Sequence, residues 1–323
     1  MKTSPAFEFP PEQDEALHRA RRLEWVSIIY LISVAAVMYF VLGSSQAMKT
    51  AWIDDILSLI APIVFLTATR IAIWEPDERF PYGYHRIVSI AFLCAALALT
   101  VMGGWLLSSA LIQLFKAEHP TIGGIYLFGY TFWLGWLMIP ALIYSAVPAM
   151  FLGRAKLPLA RKMHDKVLFA DANMNKADWL TALAALIGVL GIGLGYWWAD
   201  AVASALISLD ILHDGIRHLR EVVCDLMHEA PRTVESSDID PLPGQIAAYL
   251  RDLPWIEDVQ VRMREEGHVY FGEAFVVLRN KNVLPDQLGQ ATQGCISLDW
   301  RVHDFVLVPV PSLDVQNSFV SGT

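Results

Sequence analysis

Cysteine is scarce in this sequence, with three residues among 323: Cys94, Cys224 and Cys295. Their number is odd and no CxxC pair occurs, so they make neither a disulfide framework nor a zinc finger. Basic residues are also few, because 24 Lys and Arg face 33 Asp and Glu and leave a net charge of −9. A phosphate backbone needs a basic face, so we expect no nucleic-acid partner.

Common catalytic patterns are missing as well. Neither HExxH nor GxSxG occurs in the sequence, so an intramembrane hydrolase is poorly supported and we expect no enzyme activity. The first 17 residues are polar and acidic. They do not form a charged region followed by a small-residue cleavage site, so we expect no removable signal peptide and a first apolar run that is retained.

Apolar residues, in contrast, are abundant. They make up 55% of the chain, which has a mean hydropathy of +0.42. A membrane-crossing helix needs roughly 17 to 25 apolar residues. Six segments meet this length, and we predict six transmembrane helices: 25–42, 53–74, 87–115, 125–152, 167–198 and 201–219.

Basic residues cluster in alternate loops between these segments. They occur in the N-terminal tail, after span two and after span four, the last group being Arg154, Lys156, Arg161, Lys162 and Lys166. Cytoplasmic loops carry such an excess. The pattern predicts an integral membrane protein with both termini in the cytoplasm.

The chain becomes more polar after Leu226. We predict a cytoplasmic tail at 1–23, a transmembrane domain at 24–222, a linker at 223–243 and a cytoplasmic α+β domain at 244–323. Strict alternation at 259–264 and a turn at Glu266-Gly267 indicate a hairpin with a strand at 268–278. Helices at 244–253 and 285–296 and a last strand at 302–310 complete the predicted domain.

Two apolar runs contain polar side chains. Asp54 and Ser58 are four residues apart, as are Met174 and Asp178, so each pair shares one helix face. An acidic residue inside a membrane is costly unless it pairs, faces water or holds a cation. Two such faces turned toward each other would offer four ligands to one ion.

Three motifs occur in a fixed order around these runs. They are Gly43-Ser44-Ser45-Gln46-Ala47 ahead of Asp54, Phe80-Pro81-Tyr82-Gly83-Tyr84-His85-Arg86, and Gly195-Tyr196-Trp197-Trp198-Ala199-Asp200. With six spans and a small α/β tail, the chain resembles the cation diffusion facilitator family of divalent metal transporters from Arg21 to about Val310. The resemblance implies a ferredoxin-like, metallochaperone-like tail domain.

The resemblance also implies a membrane metal site at Asp54, Ser58, Met174 and Asp178. Family members usually have four carboxylate or imidazole ligands there, whereas this chain keeps only the first and last carboxylates. Possible further ligands are Asp55, which is next to Asp54, and Asn173 and Asn175, which are next to Met174. A thioether favours softer ions and carboxylates favour harder ones, so manganese, iron, cobalt, nickel and zinc all stay open.

The function implied is efflux of a divalent metal ion from the cytoplasm in exchange for protons, by a homodimer joined through the C-terminal domain. The metal is then a substrate, and no resident cofactor is expected. The alternative is a membrane sensor or scaffold that kept the fold and lost transport, which the polar but uncharged Ser58 and Met174 motivate.

Secondary candidates concern other polar positions. The family's loop metal site falls on Asp77, Phe80 and Tyr84, without imidazoles, and a solvated acidic loop is favoured over an adventitious ion at Glu75, Glu78 and His85. In the tail, dimerisation is favoured over a regulatory metal at His228, His268, His303 and Asp304. Asp210 and His213 belong either to a proton path or to cytoplasmic water, and Lys176 is a candidate partner for Asp171 or Asp178.

Overall fold

A computed structural model describes residues 7–117, 122–127, 130–235, 238–280 and 284–313. It divides into two compact units. The membrane unit comprises Glu15–Thr69 and Ile90–Val223, and the tail unit comprises Met1–Asp14, Arg70–Ser89 and Cys224–Thr323. The predicted linker and tail domain include residues outside the described ranges.

The first part of the chain is mainly helical. Its elements, in chain order, are α1 Pro11–Val41, α2 Gln46–Leu57, α3 Ile60–Ala72, α4 Ile87–Phe115, β1 Gly124–Leu127, β2 Tyr130–Trp133, α5 Gly135–Met163, α6 Lys166–Gly193 and α7 Ala199–Leu226. Within the described residues, five helical stretches are long and apolar enough to cross a membrane, with α2 and most of α3 counted as one stretch. The predicted sixth span falls on α7, which is helical but carries more charge.

The predicted fourth span is wrong at its beginning. Residues Gly124–Leu127 and Tyr130–Trp133 pair as an antiparallel hairpin, and helix α5 starts only at Gly135. The aromatic and β-branched residues of this segment are as favourable in a strand as in an apolar helix, so hydropathy alone did not separate the two. The end of α5 also differs, because it continues to Met163 and places Lys156 on a helix instead of in the predicted loop.

Small residues let the helices of the membrane unit approach closely. A Cβ atom on Gly188 of α6 would lie 2.9 Å from the Cβ of Ala203 on α7 and 3.2 Å from that of Ala47 on α2. A Cβ on Gly191 would lie 2.3 Å from the Cβ of Ala199. Small residues are the usual means of close helix packing in membranes, and here they bring together α2, α6 and α7.

The tail unit contains the predicted α+β domain. Its elements are α8 Leu242–Arg251, β3 Ile256–Glu266, β4 Val269–Leu278, α9 Pro285–Leu298 and β5 Val302–Val310. The strands form a sheet of order β3-β4-β5, antiparallel between β3 and β4 and parallel between β4 and β5. Burial of apolar residues from both helices against this sheet makes its core, so the predicted fold class is confirmed.

A buried polar network supports the same sheet. Arg301 donates hydrogen bonds to Asp240 at 2.6 Å, to the Tyr270 hydroxyl at 3.1 Å and to Asp299 at 2.9 Å. Burial, followed by the nearby carboxylates, raises the pKa of Tyr270. The Arg301 guanidinium thus connects the segment before α8 with β4 and with the residues just before β5.

Candidate functional site in the membrane unit

Helix α2, which carries Asp54, is anchored at its N-terminus by the first turn of α7. Ser45 caps α2 by accepting a hydrogen bond from the Met48 amide at 3.1 Å. The fully buried carboxylate of Asp200 accepts hydrogen bonds from the Ser45 hydroxyl at 2.6 Å and from the amides of Gln46 at 2.6 Å and Ala47 at 3.1 Å. A carboxylate at this end also complements the helix dipole, so the two motifs that contain Ser45 and Asp200 form one joint.

A second polar contact continues this joint toward Asp54. The hydroxyls of Thr50 on α2 and Ser204 on α7 are 2.7 Å apart, and both side chains are buried. Thr50 lies one turn before Asp54, so the contact holds α7 beside the candidate site. After Asp54 the helix ends at Leu57, and Ser58 is its C-cap.

Helix α6 supplies the other half of the site. It begins where Asp165 caps the helix by accepting a hydrogen bond from the Leu168 amide at 2.8 Å. Met174 and Asp178 follow on one face, and Thr181 comes three residues later. Thr181 and Asp54 line the same small cavity, so α6 lies beside α2 at this position.

These residues line one small cavity. Its volume is about 20 Å³, which is room for a single water molecule or ion. The lining residues are Asp54, Leu99, Met174, Asp178, Thr181, Asp210, Ile211 and Asp214. The described lining thus includes four carboxyl groups, one hydroxyl and one thioether but no basic side chain, which is a suitable environment for a cation.

The remaining predicted ligands lie elsewhere. Ser58 is buried outside the described lining, and Asp55 accepts a hydrogen bond from Ser145 at 2.7 Å. Asn175 is buried and its side-chain nitrogen has no hydrogen-bond partner among the described residues, while Asn173 is half-buried. The structure therefore brings together Asp54, Met174 and Asp178 but not the other four.

Asp214 and Thr181 are lining residues that the sequence analysis missed. Asp210 had been assigned either to a proton path or to cytoplasmic water, not to the cation site. Asp210 and Asp214 are one turn apart on α7, and this i, i+4 spacing of acids near an apolar run was the available signal. Within the described part of the chain, no group of three or more His, Cys, Asp or Glu side chains has the geometry to hold a metal ion together.

The loop after α3 uses its acidic residue for local structure. Asp77 accepts hydrogen bonds from the amides of Arg79 and Phe80 at 2.9 and 2.6 Å and from the Tyr84 hydroxyl at 2.8 Å. These bonds lower the pKa of Asp77. Both carboxylate oxygens of Asp77 are thus engaged in the turn, and the preference for a solvated loop over a metal site stays a prediction.

The tail histidines are part of a buried cluster. His85, His268 and His303 are buried; the rings of His85 and His303 are 5.1 Å apart, and the His268 ring packs on Phe9 at 5.5 Å. Burial, followed by the charges of His303 and His268, lowers the pKa of His85 to about 3. The His85 ring is accordingly neutral at physiological pH. His228 adopts a left-handed conformation at the end of α7.

A buried ion cluster near α6 was also missed. Lys156 lies between Glu24 and Asp171, and all three side chains are at most 3% exposed. Lys156 had been assigned to a solvated loop because its neighbours are basic. Asp171 is thus paired with Lys156, while the side chain of its predicted partner Lys176 lies outside the described residues.

Comparison with known proteins assigns the membrane unit. A family model of the cation efflux transmembrane domain matches residues 25–227. This chain belongs to the cation diffusion facilitator family. The resemblance read from the three motifs is confirmed, and members of this family are transporters and integral membrane proteins.

Two proteins from Bacillus subtilis are similar to this chain. The manganese efflux system protein MneS is 27% identical over 200 residues, which cover 61% of this chain and 65% of MneS. The manganese efflux system protein MneP is 25% identical over 261 residues, which cover 77% of this chain and 80% of MneP. The chain thus spans slightly less than two thirds of MneS and most of MneP.

Proposed function

We propose that this transporter exports Mn²⁺ or a similarly hard divalent cation from the cytoplasm in exchange for protons. The observation that carries the proposal is the cavity between α2, α6 and α7, with four carboxyl groups and no basic side chain in its described lining. Carboxylate oxygens suit manganese, and two relatives are named manganese efflux proteins. Membership of a cation efflux family supports the direction of transport.

In the proposed mechanism, the cation and protons bind in turn to the same carboxylates. Asp54 and Asp178 bind the cation through carboxylate oxygens when the cavity is open to the cytoplasm, with Met174 beside them. When it is open to the other side, the same carboxylates take up protons, and because a protonated carboxyl group is a poor ligand the cation leaves. Asp210 and Asp214 add negative charge at the cavity and attract the cation.

The assembly proposed is a homodimer joined through the C-terminal domain, in a bacterial inner membrane with both termini in the cytoplasm. The exposed apolar surface of α1, including Ile29, Ile32 and Phe40, supports contact with lipid. Acidic overall charge supports the absence of a nucleic-acid partner.

Flux into proteoliposomes tests the proposal. Mn²⁺ uptake should depend on a pH gradient and be abolished in Asp54→Asn and Asp178→Asn. Asp55→Asn is the matched control, because this adjacent carboxylate bonds to Ser145 and lies outside the described cavity lining. It should keep most of the flux.

Comparison of Met174→Ala with Ser58→Ala tests whether the cation is bound by the residues that line the cavity or by the four ligands that the family resemblance implies. The cavity predicts a larger loss of cation affinity for Met174→Ala, since only Met174 is in the described lining. Undiminished uptake in Asp178→Asn would rule out the proposed site. A wild-type protein that moves no metal of a panel from manganese to zinc would instead support the sensor or scaffold alternative.

A further inference from the structure

The membrane unit contains a second charged site, away from the cavity. The Lys156 ammonium on α5 is 2.8 Å from Glu24 Oε2 on α1 and 2.5 Å from Asp171 Oδ2 on α6. The Lys156 and Glu24 side chains are fully buried, and that of Asp171 is 3% exposed. Among the described residues, Lys156 on α5 and Asp171 on α6 are the charged groups that act on Glu24.

The charges in this triad do not balance. One ammonium faces two carboxyl groups, so full ionisation would bury a net charge of −1. An uncompensated buried charge costs several kcal/mol. Both carboxyl groups contact the same Lys156 ammonium, and carboxylates that share a site resist joint ionisation. One proton on the pair would remove both problems.

Glu24 offers the position for that proton. Its Oε1 atom is buried and has no hydrogen-bond partner among the described residues, whereas Oε2 bonds to Lys156. A buried carboxylate oxygen without a donor is costly. A proton placed on Oε1 leaves the bond between Oε2 and Lys156 intact.

The triad is connected to the cavity through α6. Asp171, Met174 and Asp178 follow at intervals of three and four residues, which place them on one helix face. Seven residues correspond to about 10 Å along the helix. The charges of both Asp171 and Lys156 act on Asp178, so a change of charge in the triad is felt at the cation site.

We propose that the carboxyl pair Glu24–Asp171 is a proton-binding site that takes part in transport and is distinct from the cation cavity. Loss of its proton to water leaves a negative charge that stabilises a cation at Asp178. Uptake of a proton on Glu24 Oε1 removes that charge and weakens cation binding, and the coupling is reciprocal. The transport role rests on the cation–proton exchange proposed above, whereas the protonation itself does not.

Glu24→Gln tests this site in the full-length protein, because glutamine resembles the protonated glutamate but exchanges no proton. Cation uptake and proton movement are measured together in vesicles with a metal-sensitive and a pH-sensitive dye. The variant should transport Mn²⁺ with one proton fewer per cation and with a flatter pH dependence. Asp171→Asn, which neutralises the other carboxyl group, should lose the same proton.

Difference infrared spectroscopy of the same proteins observes the proton directly. Addition of Mn²⁺ should remove carboxylic-acid carbonyl bands in the wild type, from the cavity and from Glu24, and Glu24→Gln should lack one of these band changes. The control is Glu15→Gln, on the same helix but exposed and paired with Arg19, which should behave as the wild type in both assays.

The outcomes separate the two proposals. Variants at Glu24 and Asp171 that keep the wild-type proton count, pH profile and infrared change would overturn the proton site while leaving transport established. A wild-type protein without flux but with an infrared carbonyl band that disappears in Glu24→Gln would support the proton site and contradict the proposed transport.

Discussion

Acidification should loosen the tail unit through His85, which lies between α3 and α4. The His85 ring is 4% exposed and packs 5.1 Å from His303, 5.7 Å from Phe7 and 6.0 Å from Phe271. Next to it, Arg86 is paired with Glu266 at 3.3 Å. Protonation of His85 would place a charge among aromatic rings and beside two other imidazoles. Its pKa is therefore lowered from 6.5 to about 3.

The direction follows from proton linkage. The opened state binds a proton below pH 6.5 and the folded state only near pH 3, so the stabilisation is fully present above pH 6.5 and declines as the pH falls toward 3. With about 1.4 kcal/mol per pKa unit, the loss between pH 7 and pH 5 is roughly 2 kcal/mol. This corresponds to an approximately 25-fold larger opening constant for the segments that cover His85.

Hydrogen exchange of the full-length protein in detergent measures this opening. Protection of amides in β4 and β5, corrected for intrinsic exchange rates, should fall roughly 25-fold from pH 7 to pH 5. His85→Phe, whose ring suits the aromatic surroundings, should lose most of this pH dependence. The exposed His18 on α1 provides the control His18→Phe, which should respond as the wild type. If His85→Phe kept the full wild-type response, the linkage through His85 would be refuted.

Three further variants test the packing that positions the sites. Gly188→Leu should destabilise the membrane unit by roughly 1–3 kcal/mol, because its side chain would meet Ala203. Thermal scans should show a lower melting temperature for this variant. The control Gly104→Leu, with nothing within 4 Å of the added Cβ, should keep the wild-type melting temperature. Asp200→Asn should cost roughly 1–3 kcal/mol and reduce flux, since it weakens the charged cap of α2; an unchanged melting temperature would contradict this role. Arg301→Ala should destabilise the tail unit by roughly 3 kcal/mol by leaving the buried Asp240 carboxylate without its cation. Hydrogen exchange of the amides in β5 would report this loss.

Much of the architecture was predictable because its determinants are local in sequence. Alternation, turn residues and apolar length indicated the hairpin of β3 and β4, the strand Val302–Val310 and most of the membrane helices. The hairpin at Gly124–Trp133 was missed because an apolar segment satisfies both a strand and a helix. The i, i+4 pairs also indicated which turns of α2 and α6 carry the site.

Contacts across helices were decided only by the tertiary structure. Ser58 shares a spacing with Asp54, yet the end of α2 at Leu57 leaves it outside the described lining. Asp214 joins that lining because small residues bring α7 against its neighbours. By itself, the sequence determined that acids lie within membrane helices and that a cation transport family was the right assignment. The tertiary structure decided which acids meet. It also placed Lys156 between Glu24 and Asp171 instead of in a solvated loop. Both outcomes depend on the rotation and depth of the helices, which follow from packing between residues far apart in the chain.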